Sequence, residues 1–122
     1  MKSSRRQSLG HLGESMAAAF LEREGYAILE RNWHTPYGEI DLIALFNDVI
    51  AFVEVKTRAS TSLGPPEISI TARKQEHMRC AAEYYIQQHP KLSNDWRIDL
   101  ITIQLHANNL PPLIDHFENV IT

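Results

Sequence analysis

The sequence lacks the features that would place it in a membrane or in an oxidising compartment. Its single cysteine, Cys80, excludes an internal disulfide, and no group of Cys and His has the spacing of a structural zinc site. No apolar run approaches the roughly 18–20 residues of a membrane-spanning helix, and no apolar segment follows the basic N-terminus as it would in a signal peptide. We therefore expect a cytoplasmic protein with no membrane partner.

The chain also lacks a basic balance of charge. Its 12 Lys and Arg are outnumbered by 15 Asp and Glu, which gives a net charge of −3. Composition alone therefore does not favour a nucleic-acid partner, and such a partner would need a local basic patch. The 122 residues contain no repeat and suit one domain. We expect a mobile basic tail over residues 1–8 and a single domain over residues 9–122.

Hydrophobic periodicity predicts two helices and five strands in the order α-β-β-β-α-β-β. This order is typical of the α/β class, with a mixed sheet and helices packed against it. The predicted elements are a helix from Leu9 to Glu24, strands from Tyr26 to Trp33, Glu39 to Phe46 and Val49 to Arg58, a loop from Ala59 to Pro66, a helix from Thr71 to His89 capped by Thr71, and strands from Trp96 to Leu105 and Leu113 to Glu118.

The two most distinctive strands are separated only by Asn47-Asp48, a connection that predicts a tight hairpin. If the flanking residues close the turn, Asp41 lies directly opposite Glu54. Glu39 then lies opposite Lys56. Two facing carboxylates are destabilising unless something compensates them.

The acidic pair interrupts an otherwise apolar hairpin. On the face of Asp41 and Glu54, apolar side chains lie at the turn end and charged ones at the other end, as in a sheet that runs from a core into a cleft. The other face is apolar throughout, which predicts a hairpin covered on both sides. Its side chains are Ile40, Leu42, Ala44, Val49, Ala51, Val53 and Val55.

A hard divalent cation would explain the acidic pair, because Mg²⁺ binds carboxylate oxygens together with water and phosphate. The alternative is a solvated ion cluster in which Asp41 and Glu54 pair with Lys56 or Arg58. Glu14 lies on the flank of the first helix's apolar face; it would reach this cleft or remain a surface glutamate.

Two more residues near the cleft have alternative interpretations. Lys74 extends the buried stripe of the second helix and would contact a phosphate or simply extend its amine into solvent. Glu39 would hold Lys56 in place or end its strand in solvent.

The set formed by Glu14, Asp41 and Glu54-x-Lys56 resembles the PD-(D/E)xK nuclease superfamily. Longer motifs resemble the YraN family of small uncharacterised bacterial proteins, which is similar in fold to archaeal Holliday-junction resolvases. Ile40 stands where the superfamily's nominal pattern has a proline. The matching motifs are Gly13-Glu14, Gly25-Tyr26, Arg31-Asn32-Trp33, Gly38 to Ile43 (GEIDLI), Phe52 to Arg58 (FVEVKTR), Lys74, Ala81-Ala82 and Arg97-Ile98-Asp99.

The resemblance implies a restriction endonuclease-like fold and a phosphodiesterase that uses Mg²⁺ or Mn²⁺. Asp41 and Glu54 would bind the metal, with Glu14 directly or through water and the Val55 carbonyl as further ligands. Lys56 would stabilise the phosphate, because a lysine beside two acids stays protonated. Resolvase-like relatives act as dimers, so the resemblance also suggests a homodimer.

A basic rim would bring DNA to this cleft, and we expect its binding to depend on a divalent cation. The rim residues are Arg31, His34, Arg58, Arg73 and Lys74. Arg97 and Asp99 would support the site or form an exposed ion pair. Trp33, Tyr37 and Trp96 would stack on unpaired bases or pack at the core or rim. The patch Tyr84-Tyr85-Ile86 would belong to the core or to a dimer surface.

The function expected from these features is an endonuclease that cuts branched, flap or single-stranded DNA. The alternative is a non-catalytic nucleic-acid-binding or adaptor module built on a nuclease scaffold. The complete acid–acid–acid–lysine set favours the enzyme, and the small size and net acidity favour the binding module.

Overall fold

The computed structural model describes residues 5–59, 70–93, 95–106, 108 and 110–121. It confirms the α/β class and the predicted order of elements. None of the helices in these ranges combines the length and the hydropathy needed to cross a lipid bilayer. The elements are α1 (Arg5–Arg23), β1 (Ala27–Thr35), β2 (Gly38–Phe46), β3 (Val49–Arg58), α2 (Ala72–Gln88), β4 (Asp95–Gln104) and β5 (Leu113–Phe117).

Most element boundaries lie within two residues of the predicted ones, and the main exception is the start of α1. This helix begins at Arg5 rather than Leu9, so residues 5–8 of the predicted tail are helical. Residues 1–4 of that tail and residues 60–69, which include most of the predicted loop, lie outside the described residues.

α1 ends and α2 begins at the capping residues that the sequence indicates. After α1, Gly25 has a φ of 98°, and the Tyr26 amide donates to the Leu21 carbonyl at 2.9 Å. This is the Schellman arrangement, which a glycine accommodates without strain. At the start of α2, the Thr71 hydroxyl accepts a hydrogen bond from the Lys74 amide at 3.2 Å.

The five strands form one mixed sheet in the order β1-β2-β3-β4-β5. β1, β2 and β3 form an antiparallel meander, β3 and β4 are parallel, and β5 returns antiparallel to β4. The parallel pair is connected through α2, as a crossover requires. The pairing places β3 in the centre of the sheet.

The helices lie on opposite faces of the sheet, each over its own hydrophobic cluster. On one face, α1 contributes Ala17, Ala18 and Leu21 to a cluster with β2, β3 and β4. On the other face, α2 contributes Met78, Ala81, Ala82 and Tyr85 to a second cluster. Burial on both faces explains the continuous apolar sequence of β3 and confirms the hairpin covered on both sides.

The tight β2–β3 hairpin is confirmed. Phe46 pairs with Val49, and Asn47 and Asp48 both have positive φ values, 49° and 62°, as a type I′ turn requires. The ladder then ends at the pair Leu42 and Val53. The two strands therefore diverge just before Asp41 and Glu54 would face each other.

The register predicted for Glu39 is wrong. Glu39 pairs with His34 of β1 and not with Lys56 of β3. The reason is the divergence of β2 from β3, which leaves the end of β2 bonded only to β1. The possibility that Glu39 holds Lys56 across the hairpin loses its geometric basis.

The prediction that side chains along β2 alternate strictly between the two faces of the sheet is also wrong at one point. Ile40 packs in the α2 cluster, whereas Leu42 packs in the α1 cluster. The register skips Asn32 of β1 and Asp41 of β2, and Asn32 has a φ of 49°. A residue with a left-handed backbone conformation changes the direction of the strand, as a β-bulge does. The chain thus changes face at Asp41.

Candidate functional site

The opening between β2 and β3 is lined by the carboxylate of Asp41. Its Oδ2 accepts a hydrogen bond from the Val55 amide at 2.8 Å, in place of a backbone bond between the strands. Asp41 thus occupies the point where the two strands diverge. The same contact fixes the direction of its carboxylate.

Two further acids meet Asp41 at this point. Glu14 of α1 and Glu39 of β2 each offer a carboxylate oxygen, and the three oxygens lie within 4.8 Å of one another. All three side chains are partly buried. Glu14, which the sequence left open as a surface residue, therefore does reach the cleft. Glu39 is an addition that the sequence analysis did not place among the ligands.

Glu54 approaches the same opening from the α2 side. Lys74 Nζ lies 3.5 Å from Glu54 Oε2, an ion pair that makes no regular hydrogen bond. Oε2 of Glu54 and Oε2 of Glu14 are both buried, and neither has a hydrogen-bond partner among the described residues. Glu54 Oε2 faces the Lys74 amine, whereas the buried Glu14 oxygen lacks a hydrogen bond in the described part of the chain; such an oxygen carries a desolvation cost that a ligand of positive charge would relieve.

The pKa of Asp41 reflects the same shortage of positive charge near the acids. Burial and the neighbouring charge of Glu54 raise the pKa of Asp41 to about 7, and Glu14 adds to the effect. The hydrogen bond from the Val55 amide lowers the pKa of Asp41 but does not cancel the rise. Burial also raises the pKa of Glu54, although Lys74 and Lys56 oppose the shift. Asp41 therefore lies within electrostatic reach of acids on both sides of the sheet.

These residues fit a hard divalent cation. Clustered carboxylate oxygens are the donors that Mg²⁺ and Mn²⁺ prefer. A bound cation would give the buried Glu14 oxygen a partner and would lower the raised pKa of Asp41. Of the predicted ligands, Glu14 and Asp41 belong to the cluster whose oxygens meet, together with Glu39. Glu54 is not a member of that cluster, and the use of Glu54 and of the Val55 carbonyl as ligands stays a prediction.

The stability of the metal-free protein is expected to fall as the pH rises from about 4 to about 7. Because its folded pKa is raised, protonated Asp41 stabilises the fold fully below its unfolded pKa, and this contribution is lost as the pH passes about 7. A shift of this size corresponds to about 4 kcal/mol. Urea denaturation in EDTA from pH 4.5 to 8 measures it.

Asp41→Asn is the matched control for this pH dependence. The amide oxygen can still accept from the Val55 amide, but it does not titrate. The difference in unfolding free energy between the variant and the wild type should therefore grow with pH in favour of the variant. A constant difference across the range would contradict the raised pKa.

The position of Glu14 depends on close packing between α1 and β3 at Gly13. A Cβ at Gly13 would lie 1.7 Å from Thr57 Oγ1 and 2.9 Å from Thr57 Cβ. Only a glycine allows this approach, because the second distance involves an atom held by the backbone of β3. The Gly13-Glu14 pair thus joins a packing requirement to a site residue.

Gly13→Ala is expected to lower the free energy of unfolding by about 1–3 kcal/mol, the usual cost of overpacking. Because α1 must move away from β3, the affinity for Mn²⁺ should weaken as well. Gly10→Ala is the control, since a Cβ there meets nothing within 4 Å and alanine favours a helix. Equal gains in stability for both variants would exclude the close approach.

The predicted basic rim is only partly assembled around the acids. Lys74 contacts Glu54, and Lys56 lies close enough for its charge to lower the pKa of Glu54. Arg31 donates to the Ser15 hydroxyl of α1 at 2.8 Å, next to Glu14. His34 is exposed and lies 3.9 Å from Glu39.

The other two members of the rim lie on different elements. Arg73 is exposed in the first turn of α2, beside Lys74. Arg58 is the last residue of β3, where its carbonyl accepts from the Leu105 amide at 2.9 Å.

Arg97 and Asp99 belong to a separate polar network on the α1 side of the sheet. Asp99 is fully buried and accepts from Arg97 at 3.0 Å, from the Asn119 amide at 2.9 Å, and lies 2.8 Å from His116 Nε2. Arg97 also donates to the Tyr26 hydroxyl. The pair is therefore not the exposed ion pair that was one of its two interpretations.

This network contains residues that the sequence did not single out. His116 and Tyr26 come from β5 and from the residue before β1, so only the fold brings them to β4. Burial tends to raise the pKa of Asp99, but its hydrogen bonds from His116, the Asn119 amide and Arg97 hold it below the ordinary value. These partners do not include Glu14, Glu39, Asp41 or Glu54.

Comparison with known proteins identifies a family. The model of the uncharacterised protein family UPF0102 matches residues 13–103. A UPF0102 protein of Clostridium perfringens is 44% identical over 104 residues, which cover 84% of each chain. A UPF0102 protein of Syntrophomonas wolfei is 45% identical over 97 residues, covering 80% of this chain and 84% of that protein. One of Alkaliphilus oremlandii is 39% identical over 115 residues, covering 93% and 97%.

Among solved structures, Pyrococcus furiosus SfsA in complex with Ca²⁺ aligns with 96% of this chain and 65% of its own, so this chain spans about two-thirds of it. The TM-score is 0.42 and the sequence identity 16%. The sequence matches confirm the resemblance to the YraN family, because UPF0102 and YraN denote the same family.

Proposed function

We propose that this chain, which belongs to the uncharacterised protein family UPF0102, is a divalent-metal-dependent phosphodiesterase that cuts DNA. The observation that carries the proposal is the cluster of Glu14, Glu39 and Asp41, whose carboxylate oxygens lie within 4.8 Å of one another. One of these acids, Glu14, keeps a buried oxygen without a hydrogen-bond partner among the described residues. A bound metal ion would supply the partner that this oxygen lacks.

A bound Mg²⁺ or Mn²⁺ ion would lower the pKa of water and neutralise charge on a phosphodiester. The chain's own residues supply the rest. Asp41, held by the Val55 amide, keeps a fixed direction, which spares reorganisation when the ligand arrives. Lys56 offers a positive charge beside the acids, where it favours the additional negative charge that develops on a phosphate under attack.

Lys74 has a second task in this proposal. In the metal-free protein its amine lies against Glu54. Its side chain is about two-fifths exposed, so the ion pair is weak and easily exchanged. Once a cation compensates Glu54, Lys74 is released toward a phosphate, which joins metal binding to DNA binding. The affinity for DNA would therefore depend on a divalent cation.

Cleavage of a defined DNA panel tests the proposal. The purified chain is mixed with Mn²⁺ or Mg²⁺ and with duplex, single-stranded, flap or four-way-junction DNA, and Asp41→Asn and EDTA serve as controls. Cutting by the wild type that both controls abolish supports the phosphodiesterase and identifies its substrate. Metal-dependent binding without cutting on any substrate would instead favour the non-catalytic binding module.

A further inference from the structure

Two tyrosine rings in contact with each other form an exposed aromatic step. Tyr37 lies in the β1–β2 turn and Tyr84 on α2, and they are 46% and 38% exposed. Their ring centroids are 6.4 Å apart at an angle of 62°, so the two rings do not cover each other face to face. Within the described residues, the other exposed large apolar side chains are Leu12, Leu110 and Leu113.

Tyr84 packs against the partly buried Trp33, which in turn packs against Tyr85. Trp33 lies 6.0 Å from Tyr84 and 5.0 Å from the fully buried Tyr85. In the turn, the Tyr37 amide donates to the Thr35 hydroxyl at 3.0 Å. The Tyr84 ring is therefore supported by Trp33, and Tyr37 is held by its backbone and by its edge contact with Tyr84. Both rings stay partly open to solvent, as a stacking platform needs.

The aromatic step is close to the acidic cluster along the chain. Tyr37 precedes Glu39 by two residues, so their Cα atoms are at most about 7 Å apart. Glu39 is one of the three acids whose oxygens meet at the metal site. A base that stacks on the step would thus place its strand within reach of the acids.

A polar stripe along α2 connects the step with the other side of the site. Arg73, His77, Cys80 and Tyr84 follow the spacing i, i+4, i+7 and i+11, so they lie on one flank of the helix. Arg73 and His77 are exposed and lie beside Lys74, the residue that contacts Glu54. The stripe from Arg73 to Tyr84 is about 16 Å long.

We propose that this flank of α2, together with Tyr37, binds a single-stranded segment of nucleic acid, with one unpaired base stacked on Tyr84 and a neighbouring base stacked on Tyr37. Arg73 and Lys74 would attract the backbone phosphates, and an aromatic face accepts any base. At about 3.4 Å per stacked nucleotide, the stripe accommodates roughly three to five nucleotides. A blunt duplex offers no free base face here. The inference rests on the proposed function, because it names the substrate class of the same site.

Fluorescence anisotropy of the full chain in Mg²⁺ tests this proposal without cleavage. The probe is a labelled single-stranded oligonucleotide with a phosphorothioate backbone, and duplex and abasic oligonucleotides of equal length are compared with it. We expect the single strand to bind more tightly than the duplex. Tyr37→Ala and Tyr84→Ala should each weaken it by about 5- to 100-fold, the usual loss for one stacking ring.

Three controls separate stacking from other causes. Tyr37→Phe and Tyr84→Phe keep the ring and should bind within about twofold of the wild type. Leu113→Ala removes an exposed apolar side chain on β5 and should change nothing. The abasic oligonucleotide should bind wild type and Tyr84→Ala alike.

Several results would overturn the inference. The first is that the wild type does not bind the single strand, and the second is that the alanine variants bind it as the wild type does. Either result would leave the aromatic step to a protein partner. The third is that the phenylalanine variants lose as much affinity as the alanine variants. If the wild type binds as expected but cuts no substrate, the stacking surface stands and the nuclease proposal falls. If the wild type cuts single strands and the alanine variants cut and bind them equally well, the nuclease proposal stands and the stacking surface falls.

Discussion

Glu54→Gln is expected to reduce DNA cleavage by at least about 10²- to 10³-fold without lowering the stability of the metal-free protein. Glu54 is buried, and its Oε2 has no hydrogen-bond partner in the described ranges of the chain. The neutral amide removes the electrostatic penalty and leaves the shape of the side chain nearly unchanged. The ion pair of Glu54 with the partly exposed Lys74 is a contact of small net value. Cleavage rate and urea denaturation in EDTA are the two measurements.

The combination of the two readouts distinguishes a functional acid from a structural one. A structural ion cluster would lose stability when Glu54 is neutralised, because Lys74 would lose its partner. Glu24→Gln is the matched control: this glutamate is exposed beyond the end of α1 and should leave both measurements unchanged. A drop in stability with unchanged cleavage would contradict the assignment of Glu54 to the site.

Asp99→Ala is expected to lower the free energy of unfolding by about 3–5 kcal/mol, the range for breaking a buried ion pair. Asp99 is fully buried, and its removal leaves Arg97 and the Asn119 amide without their acceptor. Since a domain of this kind is stable by only about 5–15 kcal/mol, the loss would be a large part of the total. Urea denaturation at pH 7 measures it.

Disrupting the Asp99 network is expected to leave metal binding intact. Asp95→Ala on the same strand is the control, because Asp95 is exposed. Folded Asp99→Ala protein should bind Mn²⁺ as the wild type does, since Asp99 bonds to Arg97, His116 and the Asn119 amide rather than to the acidic cluster. Loss of metal affinity at unchanged stability would instead make Arg97 and Asp99 supports of the site. The pKa of Asp99 is lowered, so its stabilising contribution is lost only as the pH falls below about 4.

Local signals in the sequence predicted much of the fold. The two-residue turn Asn47-Asp48 determined the hairpin, and both residues have the positive φ values that the turn demands. Thr71 and Gly25 marked the start of α2 and the end of α1. These features depend on residues that are neighbours along the chain, which is why patterns could find them.

The features of the site that pattern reasoning missed depend on tertiary structure. Counting residues along a regular ladder placed Glu39 opposite Lys56, but the strands diverge after Leu42 and Val53. Glu39 therefore joined Glu14 and Asp41 instead. A conflict between two facing acids was visible in the sequence and indicates such a break, because a regular ladder would force like charges together.

The buried network around Asp99 was beyond the reach of local patterns. Its members come from the residue before β1, from β4 and from the segment around β5. The motif Arg97-Ile98-Asp99 pointed to two of them, but periodicity cannot show which distant side chains meet a buried carboxylate.

Calorimetric titration of Mn²⁺ into the EDTA-treated and dialysed protein tests the central claim most directly. We predict saturable binding at pH 7 with net release of protons, because Asp41 has a pKa of about 7 and must ionise to bind the metal. Two buffers of different ionisation enthalpy count the protons. Glu14→Gln and Asp41→Asn should each abolish or strongly weaken the binding. Absence of saturable binding to the wild type, or equal binding to both variants, would contradict the metal site.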